Sequence, residues 1–300
     1  MRKQQTLQST VSLDGVGYWS GQKVTLTFEP APEDHGIQFL RTDQKSPHPI
    51  PATIHHQVPT PLRTILSHQG QTVAMVEHVL AALYAMNIDN CLVKTTAEEM
   101  PGLDGSCLPL TDLLQSAGIA RQNTIRQQLV IEENCRLVSS DSPDVWLEAT
   151  PAATPTTFSL EYHLHYDHPA IGTQYHLLDL TPQTFLNELT DARTFILEEE
   201  ANALHHKGLG LHVTDQELLY LTEGGPRNNS LRYPNECVRH KMLDMVGDFS
   251  LAGVDLVGHF VASRTGHQFN AELIRRLLSS SKKSRSSPTE QNQSTKARSA

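Results

Sequence analysis

A helix, a left-handed stop, an aspartate and a strand occur twice in this chain with the same spacing. Residues 73–86 (VAMVEHVLAALYAM) read as a helix by length and composition; it ends at Asn87 and is followed by Ile88-Asp89 and a strand at 90–93. Residues 236–252 read as a second helix, which ends at Gly253 and is followed by Val254-Asp255 and a strand at 256–262. Asn and Gly are the residues best suited to the left-handed cap that stops a helix. Eleven residues separate His78 from Asp89, and eleven separate Asp244 from Asp255. Each unit then runs strand, polar loop, short helix: MPGLDGS and PLTDLLQSAG with Gly118 as the stop in the first, residues 270–278 in the second. A repeated order of elements at fixed spacing marks a duplicated unit. Strands and helices mixed within each copy make the class α+β, as two similar domains that each hold a β-sheet and packed helices. If the copies pack pseudo-symmetrically, His78 and Asp244 occupy equivalent places and face one another across the interface.

The 300 residues suffice for two such cores. Residues 24–28 alternate as a strand, and Pro30, Pro32, Pro47, Pro49, Pro51, Pro59 and Pro61 mark loops and edges. The pattern turns polar at 121–123, which divides the chain into domains 1–122 and 123–278. In the second, strands are expected near 129–132, 145–149 and 158–163 and a helix near 181–189, whereas 191–221 shows no clear period. From Ser279 the composition becomes SSSKKSRSSPTEQNQSTKARSA, which can bury no face and reads as a disordered basic tail over 279–300. That tail carries a net +4, so the chain's −9 masks a body at −13. A body this acidic argues against nucleic acid as a partner, because phosphates need a basic face. A solvated terminus and weak attraction to anionic lipid surfaces are both open readings of the tail. No apolar run approaches the roughly 18 residues of a membrane span. The N-terminal MRKQQTLQSTVSLDG lacks the apolar stretch of a secretory signal. Cys91, Cys107, Cys135 and Cys237 form no CxxC pair, so a reducing, cytoplasmic setting is expected.

Within 73–86, Tyr84 aside, the ionisable side chains are the adjacent Glu77 and His78. On a helical wheel Val73, Val76, Leu80 and Leu83 form a stripe, with Glu77 near its edge and His78 about 100° further round. A helix apolar nearly all round is buried, and a buried carboxylate needs a partner or a shifted pKa. A core histidine beside a capped glutamate would look the same. In the second helix Val238, Met242, Met245 and Phe249 form the apolar stripe, while His240, Asp244 and Asp248 lie at i, i+4, i+8 on another face. Spacing of i, i+4 sets an imidazole beside a carboxylate, the way one helix supplies two ligands to a metal. Catalytic zinc takes three protein ligands and keeps one position open. His240 and Asp244 would be two of them and His78 the third. A solvated polar face is the competing reading, because HxxxD is common.

The blocks TVAMVEHVLAAL, NIDNCLV, MPGLDGS, VRHKMLDMVGD and TGHQFN, together with GVGYWSGQKVTLTFEPAP, DHPAIG and DARTF, run in order over residues 5–275. They resemble the signature blocks of the UDP-3-O-acyl-N-acetylglucosamine deacetylases, zinc enzymes of lipid A biosynthesis. The resemblance implies a layered two-domain sandwich with Zn²⁺ between the halves. It also implies hydrolysis of the N-acetyl group of UDP-3-O-acyl-N-acetylglucosamine in the cytoplasm, releasing acetate. Carried over residue by residue, His78, His240 and Asp244 hold the metal and Glu77 is the general base. The Thr194 hydroxyl helps stabilise the oxyanion, and Phe195 packs against the sugar. His267 is the cationic acid that protonates the leaving amine, and Asp248 raises its pKa. Lys241 and Arg264 meet the phosphates, and Tyr166 stacks on uracil. Other histidines, such as His55-His56 and His205-His206, read as surface groups.

Three departures from the family pattern stand out. Arg264 replaces a frequent lysine, keeping the charge and changing its geometry. Trp19 follows Tyr18 where the family block commonly ends in a cleft-lining histidine. In the insert near 195–222, GLGLHVTDQELLYLTEGGPRNN stands where a GGSLDNA segment is usual. Leu204, Leu209, Leu211 and Val213 are expected to line an acyl channel there. These departures keep two alternatives in play: a zinc deacetylase of a different acylated amino sugar, and a non-catalytic descendant that binds nucleotide sugar or lipid.

Overall fold

The two halves of the chain build the same sheet. In the computed structural model, which describes residues 1–60 and 62–285 and side chains as far as 280, the first sheet has the spatial order Val11–Val16, Lys23–Pro30, Cys91–Thr95, Ile37–Arg41, Ile50–Pro51. The second has the order Cys135–Val138, Trp146–Thr150, Asp255–Ser263, Phe158–His165, Thr173–Asp179. In both, the strand that follows the long helix is central, antiparallel to one neighbour and parallel to the other. Alternation decides which face is buried: Val24, Leu26 and Phe28 of Lys23–Pro30 point inward and the residues between them do not.

The described residues form six α-helices: α1 (Glu77–Ala85), α2 (Leu108–Ala117), α3 (Pro182–Glu188), α4 (Glu198–His205), α5 (Glu236–Ser250) and α6 (His267–Arg285). α1 packs directly on α5, and their buried side chains join those of both sheets in one continuous apolar core. Gly247 makes the close approach possible, because a Cβ there would lie 2.1 Å from the carbonyl oxygen of Glu77. Asp89 and Asp255, the echoed aspartates, are bound together. Arg2 reaches Asp89 at 2.6 Å and Asp255 at 2.8 Å, and Arg126 Nε lies 3.0 and 3.2 Å from the same pair.

Several boundaries differ from those read in the sequence. The helix expected over 73–86 begins only at Glu77. Gln71–Ala74 is instead a strand paired with Ile65–His68. Ala74 donates its N–H to Glu98 O and accepts from Met100 N–H, and Met75 has φ +59°, which no right-handed helix admits. α6 runs to Arg285, so residues 279–285 of the expected tail are helical, and the expectation for 286–300 lies outside the described residues. The division at 122 falls inside the strand Ile119–Ile125, which pairs with Lys3–Leu7. Residues 191–221 contain a parallel strand pair, Phe195–Leu197 and Leu219–Thr222, joined through α4 and edged by Gly225–Pro226. Strands of three and four residues are too short to display a period. Among the described residues, no helix is long and apolar enough to cross a membrane and all four cysteines are free.

Candidate active site

Three metal-ligating side chains converge where α1 meets α5. His78 Nε2 lies 3.6 Å and His240 Nε2 3.4 Å from Asp244 Oδ1, and the two rings meet edge to face with centroids 5.0 Å apart. One ligand atom from each of the three lies within 4.8 Å of the others. His240, Asp244 and Asp248 are each at most 6% exposed, which removes the solvated-face reading of α5. His240 Nδ1 donates to the Ala192 carbonyl at 3.0 Å, so Nε2 is the nitrogen left to ligate. Burial drives its pKa down to about 4, keeping the ring neutral. Burial alone would raise Asp244, but Lys241, with Nζ 2.9 Å from Oδ2, and His240 hold it well below the usual carboxylate range. Two imidazoles and an ionised carboxylate form a donor set that fits a divalent metal of zinc type.

Beside this triad sit a candidate base and a candidate acid. Glu77, the first residue of α1, is 3% exposed, and burial raises its pKa against the pull of His267 and His78. Its Oε2 accepts the Thr64 N–H at 3.0 Å. His267 Nδ1 donates to Asp248 Oδ2 at 2.8 Å. Burial would depress His267, yet the Asp248 carboxylate outweighs it and lifts the pKa to about 9. Asp248 also accepts from the Thr64 hydroxyl at 2.5 Å and from Asn270 Nδ2 at 2.8 Å.

These groups face one cavity of about 580 Å³. Of the eleven site residues picked from the sequence, ten line it: Glu77, His78, Tyr166, Thr194, Phe195, His240, Lys241, Asp244, Arg264 and His267. The eleventh, Asp248, lies behind His267. Tyr166 and Phe195 stand edge to face across 5.8 Å. Thr194 is pinned by its N–H on Gly105 O at 2.8 Å and by Leu219 N–H on its carbonyl at 3.1 Å. The preceding Arg193 forms a buried pair with Glu236 at 2.9 Å, tying this loop to the first turn of α5. Arg264 is exposed at the rim, with φ +54°.

Trp19 lines the cavity, and its N–H and that of Ser20 both donate to Glu99 at 2.8 Å. The expected acyl channel is only partly there. Leu204 lines the cavity, and Leu209 lines an adjoining hollow of about 190 Å³ with Trp19, Leu62 and Arg63. Leu211 is 68% exposed, on the solvent side of its loop, whereas Val213 packs with Tyr18, Leu218 and Tyr220 at a small hollow that Leu204 and Leu209 also line. His55 and His206 are exposed, whereas His56 is half-buried edge to face against His68. Sequence reasoning missed Thr64 and Asn270. Asn270 lies three residues after His267 on α6, a spacing that could have found it, but nothing in the sequence marks Thr64.

Residues 4–279 match the family described as UDP-3-O-acyl N-acetylglycosamine deacetylase (LpxC). Among curated relatives named UDP-3-O-acyl-N-acetylglucosamine deacetylase, that of Myxococcus xanthus is 39% identical over 92% of this chain and 86% of its own length. Those of Oleidesulfovibrio alaskensis and Pasteurella multocida are 38% and 36% identical, over 91% and 93% of this chain and 88% and 90% of their own lengths.

Proposed function

Since this chain belongs to the UDP-3-O-acyl N-acetylglycosamine deacetylase family, we propose that it hydrolyses the N-acetyl group of UDP-3-O-acyl-N-acetylglucosamine in the cytoplasm, releasing acetate as a step of lipid A biosynthesis, with Zn²⁺ as its metal. The carrying observation is the meeting of a buried two-histidine, one-carboxylate donor set with Glu77 and His267 at one cavity.

His78, His240 and Asp244 would hold the zinc, which when bound would supply Lewis acidity for activating water and an amide carbonyl near neutral pH. Glu77, with its pKa raised by burial, takes the proton from the attacking water. The Thr194 hydroxyl donates to the oxygen that becomes negative as the carbonyl turns tetrahedral. His267 holds its Nδ1–H on Asp248 and presents Nε2–H to the cavity. That proton passes to the sugar nitrogen as the C–N bond breaks, leaving a free 2-amine and acetate. Arg264 at the rim and Lys241 deeper in the wall provide positive charge for the two phosphates. Tyr166 offers a face to uracil, and Phe195 packs on the sugar.

The test is acetate release by the zinc-loaded protein from substrates of graded acyl length, with and without the nucleotide. Expected are loss of activity with a chelator, recovery with Zn²⁺, and a much lower kcat/KM without UDP. Tight binding of every substrate with no acetate release would restore the non-catalytic alternative. Equal turnover without the nucleotide would point to a different amino sugar.

A further inference from the structure

Neither arm of the acid–base pair stands alone: both are held by one residue outside the helices that carry them. We propose that Thr64 is a positioning residue that sets Glu77 and His267 at their working separation. This rests on the roles given to those two groups above.

Thr64 is 1% exposed and lies just before the strand Ile65–His68. Its N–H donates to Glu77 Oε2 at 3.0 Å, and its carbonyl accepts the Val76 N–H at 3.4 Å, so its main chain straps the start of α1. Its side chain turns the other way, to the pair between α5 and α6. An ionised carboxylate cannot donate, so the single hydroxyl proton goes to Asp248 Oδ1 at 2.5 Å. A hydroxyl lone pair then faces His267 Nδ1 at 3.3 Å, beside the shorter bond from that nitrogen to Asp248 Oδ2 at 2.8 Å. The hydroxyl therefore acts as donor to the carboxylate and as second acceptor for the imidazole. Both uses hold the His267 ring in the orientation whose Nε2–H faces the cavity. Base and acid must flank one carbon, and a misplacement of about 1 Å costs on the order of 100-fold in rate. A residue bonded to both arms fixes that spacing directly.

The experiment compares Thr64→Val, which keeps the shape and the backbone N–H but removes the hydroxyl, with Thr64→Ser, which keeps the hydroxyl. In the zinc-loaded protein, Val is expected to lower kcat about 10- to 100-fold with KM within about twofold, while Ser retains most of kcat. A second readout needs neither metal nor substrate. The Nδ1 proton resonance of His267 in the metal-free protein should move in the Val variant and stay near wild type in Ser. Should Val fail to fold, Thr64→Ala against Thr64→Ser carries the same comparison. Wild-type kcat and an unmoved resonance in the hydroxyl-free variant would overturn the proposal, as would equal losses in Val and Ser. Glu77→Ala and His267→Ala run in parallel separate the two layers. If they keep full activity, the acid–base roles fall; if they are inactive while Val is not, only the role of Thr64 falls.

Discussion

Replacing Gly247 by alanine should reverse the usual sign of such a change. In a helix interior alanine is ordinarily about 1 kcal/mol better than glycine. Here the new Cβ would lie 2.1 Å from Glu77 O, 2.8 Å from its carbonyl carbon and 3.1 Å from its Cα. All three are backbone atoms, so no side-chain rotation relieves the clash. Restoring an ordinary 3.4 Å contact requires α1 and α5 to part locally by about 1.3 Å. That parting falls on the residue next to His78, while His240 and Asp244 ride on the opposing helix, so the donor triad spreads. We expect a net destabilisation of about 2–3 kcal/mol, a melting decrease of roughly 4–12 °C, weaker metal binding and a kcat lower by on the order of 100-fold. Calorimetry of metal-free protein, zinc competition against a chelating dye and steady-state kinetics would measure the three effects. A Gly247→Ala protein that melts at or above wild type and binds zinc with wild-type affinity would refute the view that this helix contact sets the site.

Three further outcomes follow from the geometry. His267 titrates near 9 when folded against an ordinary 6.5, so its contribution to stability is complete below about 6.5 and is lost as pH rises through about 9. The basic limb of kcat/KM should report the same group, and Asp248→Asn should move that limb to lower pH; an unmoved limb would remove Asp248 as the cause. Alanine at His78, His240 or Asp244 should each lower zinc stoichiometry by elemental analysis, whereas Asp248→Asn should leave it intact; full zinc in a triad variant would discount that ligand. Asp89→Ala leaves Arg2 and Arg126 with Asp255 alone and should cost about 3–5 kcal/mol in urea unfolding. Because Asp89 follows the end of α1 remote from His78, kcat below the melting transition should stay at the wild-type value.

The duplicated plan was legible because its punctuation is local. A stop at Asn87 or Gly253, an aspartate two residues on and a strand after it are all readable without knowing what packs on what. The grouping of His78, His240 and Asp244 was legible for a related reason: His240 and Asp244 share a turn of α5, and His78 occupies the place in α1 that the repeat makes equivalent. The start of α1 was not legible. Val73 and Ala74 are apolar in a strand as in a helix, and what separates the two is the partnership of Ala74 with Glu98 and Met100, a tertiary fact. Thr64 was hidden more deeply. It touches Glu77 thirteen residues away but Asp248 and His267 only through contacts 184 and 203 residues apart in sequence. A threonine before a strand carries no mark of such contacts. The insert was legible only in part: Leu204, Leu209 and Val213 do line hollows, but hydrophobicity alone does not say that Leu211 takes the solvent side of its short loop.

The repeat also explains why one end of the α1–α5 seam needs no ion while the other invites one. At the clamp the equivalent residues are still identical, Asp89 and Asp255, and two arginines balance two carboxylates. At the cavity the residues in equivalent places differ, an imidazole at His78 and a carboxylate at Asp244. Around them the carboxyl groups of Glu77, Asp244 and Asp248 meet two basic side chains, Lys241 at 2.9 Å from Asp244 and His267 at 2.8 Å from Asp248. Acidic groups thus outnumber basic ones at the buried floor, and an unbalanced charge at that depth is costly. A divalent cation on the triad would shift that balance toward positive, the sign that suits a substrate entering with its diphosphate past Arg264. Histidine, rather than a second aspartate, at this paired position thus adds a ligand without adding another carboxylate to the floor.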